Sequence, residues 1–164
     1  MITITLNQFE IRMCKALARE RQDTNDANGV VDRKIADRTG YEIHYQGTLG
    51  ECTASKYLNV YPDFTTNSRS GGSELVFRGY RIDVKNRNPY RDLMTPATKR
   101  LGEADIYICV TGENPFILLG WCYEKELINP ERIVTWTPVR SYFLRENDLR
   151  AMESIFDIGE RNGK

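Results

Sequence analysis

Two apolar runs constrain this chain most. Residues 104–111, ADIYICVT, and 116–123, FILLGWCY, are dense in β-branched and aromatic residues. Both are shorter than an ordinary helix, and the turn residues GENP at 112–115 separate them. Each reads as a buried strand. A third stretch, GYRIDVKNR at 79–87, alternates differently: Ile82 and Val84 fall between Arg81, Asp83 and Lys85. Period two predicts a strand, so Asp83 and Lys85 share one face of it. With residues 74–77 it reads as a hairpin around Arg78-Gly79.

Helical signals surround these strands. Thr5-Leu-Asn-Gln8 has the form of a capping box, followed by Phe9, Met13, Ala16 and Leu17 at helical spacing. That predicts a helix to about Arg21, with 23–29 as a loop. Residues 30–39 read as a short helix or as irregular chain. Thr48-Leu-Gly-Glu51 is a second capping-box pattern, leading through Cys52, Ala54, Tyr57 and Leu58 and stopping before Pro62. NSRSGG at 67–72 reads as a loop, and 89–100 as polar and irregular. A short strand is expected at 133–136 and a final helix at 148–158, with Leu149, Met152, Ile155 and Phe156 on one side.

The order of elements predicts an α/β fold, a mixed central β-sheet flanked by helices. A length of 164 residues suits a single domain, 1–164. Within it, 1–40 reads as an N-terminal helical extension, 47–127 as the core, and 128–164 as a C-terminal strand and helix. The four cysteines show no paired spacing, so neither a disulfide framework nor a zinc knuckle is expected. The start lacks a signal-peptide pattern, and no apolar stretch approaches a membrane span. A cytoplasmic, reducing setting is the expectation. His44 is the single histidine, which excludes a histidine-cluster hydrolase. No G-x-x-x-x-G-K loop and no G-x-S-x-G elbow is present.

Formal net charge is zero, with 23 basic and 23 acidic residues, but charge is unevenly spread. From Asn67 to Arg100 there are eight basic residues against three acidic ones. Such a window can meet a polyanion, or it can be an arginine-rich solvated hairpin. Arg69, Arg81, Arg87, Arg91, Lys99 and Arg100 are its candidate nucleic-acid contacts, with Tyr90 among them.

The candidate chemistry rests on Glu51, Asp63, Asp83 and Lys85. Two carboxylates can hold a hard cation such as Mg²⁺ or Mn²⁺ through oxygen. A lysine beside them can orient water and meet charge that grows on a phosphate. Each residue also has a plainer reading. Glu51 can complete the Thr48 cap, Asp63 can start a turn, and Asp83 and Lys85 can be a solvated strand face.

Pro62-Asp63 followed by Asp83-Val84-Lys85 resembles the signature of the PD-(D/E)xK nucleases, which include restriction enzymes and Holliday-junction resolvases. Glu51 matches the acid that the preceding helix supplies. Residues 104–110 and 117–121 are similar to the strand pair that follows the signature, and 124–127 to the short helix after it. The resemblance covers roughly 47–127. It implies a restriction-endonuclease-like core and metal-dependent hydrolysis of phosphodiesters, leaving a 5′-phosphate. It implies Asp63, Asp83, Glu51 and the Val84 carbonyl as metal ligands, and Lys85 as the catalytic lysine. The implied cofactor is Mg²⁺ or Mn²⁺ and the implied substrate is DNA, with RNA left open. Small size and likeness to short viral members point to DNA processing in a phage or mobile element. Endonuclease and exonuclease both stay open, as does a homodimer with one site per strand. The alternative is an inactive relative that binds nucleic acid or protein.

Overall fold

A computed structural model of the chain describes residues 1–29, 39–66 and 75–161. The segments expected at 30–38 and 67–72, and Arg69 with them, lie outside the described residues. Among the described residues no helix is long and apolar enough to cross a membrane.

The chain opens with strand β1 (Ile2–Ile4) and helices α1 (Gln8–Ala27) and α2 (Gly40–Leu58). Then follow β2 (Leu75–Phe77), β3 (Tyr80–Asn86), β4 (Leu93–Pro96), β5 (Ile106–Gly112) and β6 (Phe116–Tyr123). The short helix α3 (Glu124–Leu127), β7 (Ile133–Val134) and β8 (Ser141–Leu144) complete it, with 3₁₀ turns at 130–132, 146–148 and 152–157. The main sheet has the order β1-β6-β5-β3-β2, and only the β3–β5 pair is parallel. A second sheet, β4-β8-β7, is antiparallel.

The two helices start and end differently from the sequence expectation. Asn7, not Thr5, caps α1: its side chain accepts from the Glu10 N–H at 2.9 Å, and Glu10 returns a bond to Asn7 N–H. The helix continues through 23–27, where a loop was expected. Asn25 is buried there and pairs with His44 of α2 at 2.9 Å, so tertiary contact sustains a polar turn. His44 is therefore part of the helix interface and half-buried. Thr39 and Glu42 form the capping box of α2. Thr48 sits inside that helix and donates to the His44 carbonyl at 2.8 Å, so it caps nothing.

Alternation divides the core into two clusters. Ile82, Val84, Ile106, Ile108 and Val110 pack toward α2 with Ala54 and Leu58. Tyr107, Cys109, Leu119 and Cys122 face the other way, against Leu93 of β4, Leu144 of β8 and Leu127 of α3. In β6 the pairing register shifts between Cys109 and Val110 of its partner. This bulge puts Phe116 and Leu118, then Trp121, on one face despite their odd spacing. Gly50 brings α2 onto β3, since a Cβ there would meet Asn86 Cβ at 2.9 Å.

The tail differs most. Instead of a helix over 148–158, Leu149 and Arg150 run extended across β6, with two backbone bonds between Trp121 and Arg150. Gly120 makes room: a Cβ there would lie 2.5 Å from the Arg150 carbonyl oxygen. Only a 3₁₀ turn follows; it buries Met152 and Ile155 and leaves Phe156 partly exposed. Strands β4 and β8 replace two stretches without a strand expectation; both are short and carry polar residues.

Candidate functional site

The hairpin delivers Asp83 and Lys85 to one face of β3, as period two requires. They lie opposite Tyr107 and Cys109 of β5, on the side covered by the second sheet. β2 pairs with β3 only as far as Ile82. Asp83 is 2% exposed, so the reading as a solvated strand face fails for it. Its two oxygens meet two ammonium groups: Lys85 Nζ contacts Oδ1, and Lys99 Nζ lies 3.2 Å from Oδ2. Oδ1 is buried and takes part in no hydrogen bond, so the Lys85 contact is one of charge without donor alignment. Lys99 also pairs with Glu103 at 3.1 Å.

The loop carrying Lys99 and Glu103 is held from behind. Glu124, itself buried, accepts from the Gly102 N–H at 2.8 and 2.9 Å and from the Ala104 N–H at 3.2 Å. Burial works to raise the Glu103 carboxyl, but bonds from Lys99 and the Arg100 N–H outweigh it and hold it below its usual range. Tyr107 is fully buried and its hydroxyl has no hydrogen-bond partner. Burial first, then the charges of Asp83, Glu124 and Glu103, push its ionisation far upward.

Glu51 and Asp63 form a neighbouring group organised by Arg21 of α1. Arg21 Nη1 lies 2.9 Å from each Glu51 oxygen, Nη2 donates to the Asp63 carbonyl at 3.1 Å, and Nε donates to the Thr65 carbonyl at 3.3 Å. One guanidinium thus ties α1, α2 and the segment after α2. Burial raises the Glu51 carboxyl; Arg21 opposes that, the Asp63 charge adds to it, and the Lys85 charge lowers it. The Asp63 carboxylate accepts from Thr65 N–H at 2.8 Å and Thr65 hydroxyl at 3.1 Å, so its turn role is real. Val84 lies between Asp83 and Lys85, its side chain buried against α2.

Among the described residues no three His, Cys, Asp or Glu side chains converge to hold a metal ion. The site consists of two acid–base groups, Asp83 with Lys85 and Lys99, and Glu51 with Arg21. Arg21, Lys99 and Glu103 belong to it and carry no sequence signal beyond their charge. Lys99 appeared in the sequence only as a phosphate contact.

The basic window is largely spent inside the protein. Arg81 binds both Asp105 oxygens and the Gly102 carbonyl. Arg91 makes two 2.6 Å bonds to Glu146. Arg87 lies 5.6 Å from the centre of the Tyr90 ring and 3.4 Å from the Asp92 carbonyl. Lys99 is in the Asp83 cluster. Arg100 has an exposed side chain.

The family described as "Family of unknown function (DUF5843)" matches residues 2–113, more than half of the chain, and the chain belongs to that family. No curated protein and no solved structure matches it.

Proposed function

We propose that this chain is a metal-dependent phosphodiester hydrolase acting on nucleic acid, with a restriction-endonuclease-like core. The observation that carries the reading is a buried Asp83 and a lysine two residues on, together on β3, with a buried Glu51 on the preceding helix, which packs on β3 at Gly50. The β2-β3-β5-β6 order, paired antiparallel, parallel and antiparallel, supports it.

Asp83 is where a metal fits best. Its Oδ1 is a buried carboxylate oxygen that among the described residues has no hydrogen bond and faces the Lys85 ammonium, so it already meets a cation there, and Mg²⁺ commonly uses one or two carboxylates plus waters. Asp83, with Glu51, Asp63 and the Val84 carbonyl, would hold Mg²⁺ or Mn²⁺. Such an ion lowers the pKa of its water and offsets charge on a phosphate. Lys85 acts as a mobile point charge facing the phosphoryl oxygens. Arg21 fixes the Glu51 rotamer.

The test is cleavage of linear, branched, circular and single-stranded DNA, and of RNA, with Mg²⁺, Mn²⁺ or EDTA. D83N and K85Q should each lose roughly 100-fold or more, as removal of charge-stabilising groups does. Undiminished cleavage in both variants would sink the reading.

One observation favours a second reading. Each acid already has a partner: Glu51 has Arg21, Asp63 has Thr65, and Asp83 has two lysines. A chain that binds nucleic acid salt-dependently but shows no metal-stimulated turnover is the inactive relative.

A further inference from the structure

Three cations on α1 are not spent in the way those of the 67–100 window are. Arg12, Lys15 and Arg19 are three and seven residues apart, so they line one side of the helix, and all three are exposed. Among the described residues none of them has a carboxylate at ion-pair distance. Two lie against aromatic rings instead. The Arg19 guanidinium is 5.6 Å from the centre of Tyr41, and Lys15 Nζ is 5.9 Å from the centre of Tyr45. Those tyrosines, one turn apart on α2, stack with centres 6.0 Å apart and planes 5° from parallel.

Tyr45 also lines a cavity of about 390 Å³, with Gln46, Asn86, Asn88, Glu113 and Phe116. It sits where β3 and β5 end, the edge at which open α/β sheets take ligands. Asn86 directly follows Lys85. The lining holds carboxamides and carboxylates and no lysine or arginine. A phosphate would be repelled there. The lining groups already bond one another: Asn86 Nδ2 donates to the Gln46 carbonyl at 2.9 Å and Asn88 Nδ2 to Glu113 at 3.2 Å, so a base edge enters by sharing or exchanging these bonds, as carboxamides that both donate and accept allow.

We propose that the α1–α2 face is a track for single-stranded nucleic acid. Arg12, Lys15 and Arg19 hold its phosphates, and the cavity beside Tyr45 takes one unpaired base. A cation stripe interleaved with rings is the composition of single-strand binding surfaces. Bases stacked within a duplex cannot enter a side cavity. The binding stands apart from the hydrolase reading; only the delivery of the strand toward Lys85 rests on it.

The experiment is fluorescence anisotropy of short labelled DNA and RNA single strands and duplexes, with the intact chain in EDTA. The exposed triple variant R12Q/K15Q/R19Q should weaken single-strand binding about tenfold or more and flatten the log K against log salt slope by roughly 2, given about 0.7 per lost contact. Y45A should cost roughly 5- to 100-fold through lost stacking and leave the slope in place, whereas Y45F stays near wild type. R87Q/R100Q, on the other basic segment, should change little. The proposal falls if the triple variant binds like wild type, if the wild type binds no single strand at low salt, or if R87Q/R100Q is the pair that matters. A duplex bound as tightly as a single strand, with Y45A harmless, removes the base site. Cleavage that depends on Asp83 but ignores the triple variant would leave the hydrolase and discard the track. Single-strand binding without cleavage would do the reverse.

Discussion

The two faces of the main sheet are both dry, but they are dry for different reasons. Toward α2 the strands present Ile82, Val84, Ile106, Ile108 and Val110, and burial there is apolar. Toward the second sheet the same strands present Tyr107 and Cys109 beside an aspartate held between two ammonium groups. Apolar burial stabilises in proportion to area. A buried ion cluster seldom adds net stability, because desolvation offsets most of the attraction. The first face is stabilised by apolar burial alone, whereas the second combines an apolar cluster with a buried ion group.

That contrast can be broken by mutation. Ile108→Ala should destabilise most, by about 3–4 kcal/mol, since it opens a cavity on a fully buried face. Asp83→Ala should cost about 3 kcal/mol, because it leaves two lysines facing each other without their anion. The joint variant D83L/K85M/K99M should return to within about 1 kcal/mol of wild type in denaturant melts while abolishing any activity. If it is no more stable than D83A, the polar cluster is structural and the contrast fails.

Asp105 offers a smaller test at the edge between the faces. Burial opposes its ionisation, but bonds from the Arg81 side chain and N–H and from Arg161 overcome that and bring its pKa to about 2. The carboxyl is thus lowered relative to the unfolded chain. Its stabilisation is complete above the ordinary aspartate value and is lost as pH falls toward 2. Asp105→Asn should remove about 2 kcal/mol at neutral pH and flatten the acid limb of a stability–pH curve. Lys99→Gln should cost least, under about 1 kcal/mol, since Lys99 is partly exposed and Asp83 keeps Lys85. Its sharper readout is Mn²⁺ binding followed by electron paramagnetic resonance, which should tighten when a competing cation leaves Asp83.

Much of this is legible in the sequence. Period two put Asp83 and Lys85 on one face, and 116–123 is β6 as read. The element order gave a mixed sheet with helices. The failures share one cause, which is partners distant in sequence. The polar end of α1 stays helical because Asn25 meets His44. The tail stays extended because Gly120 leaves a groove for it. Arg21 lies thirty residues from Glu51, and nothing local announces that they pair. The basic window looked like a polyanion site because its anions, Asp105 and Glu146, lie outside it in sequence.

The β1–β6 pairing has a consequence for how the chain is made. Ile2 aligns with Leu118 and Ile4 with Phe116, so β1 has no partner in the sheet until β6 has been made. Non-local pairing of this kind is slow to form. Strand β1 must wait while everything between it and β6 is made, and the main sheet can close only after translation has passed beyond β6.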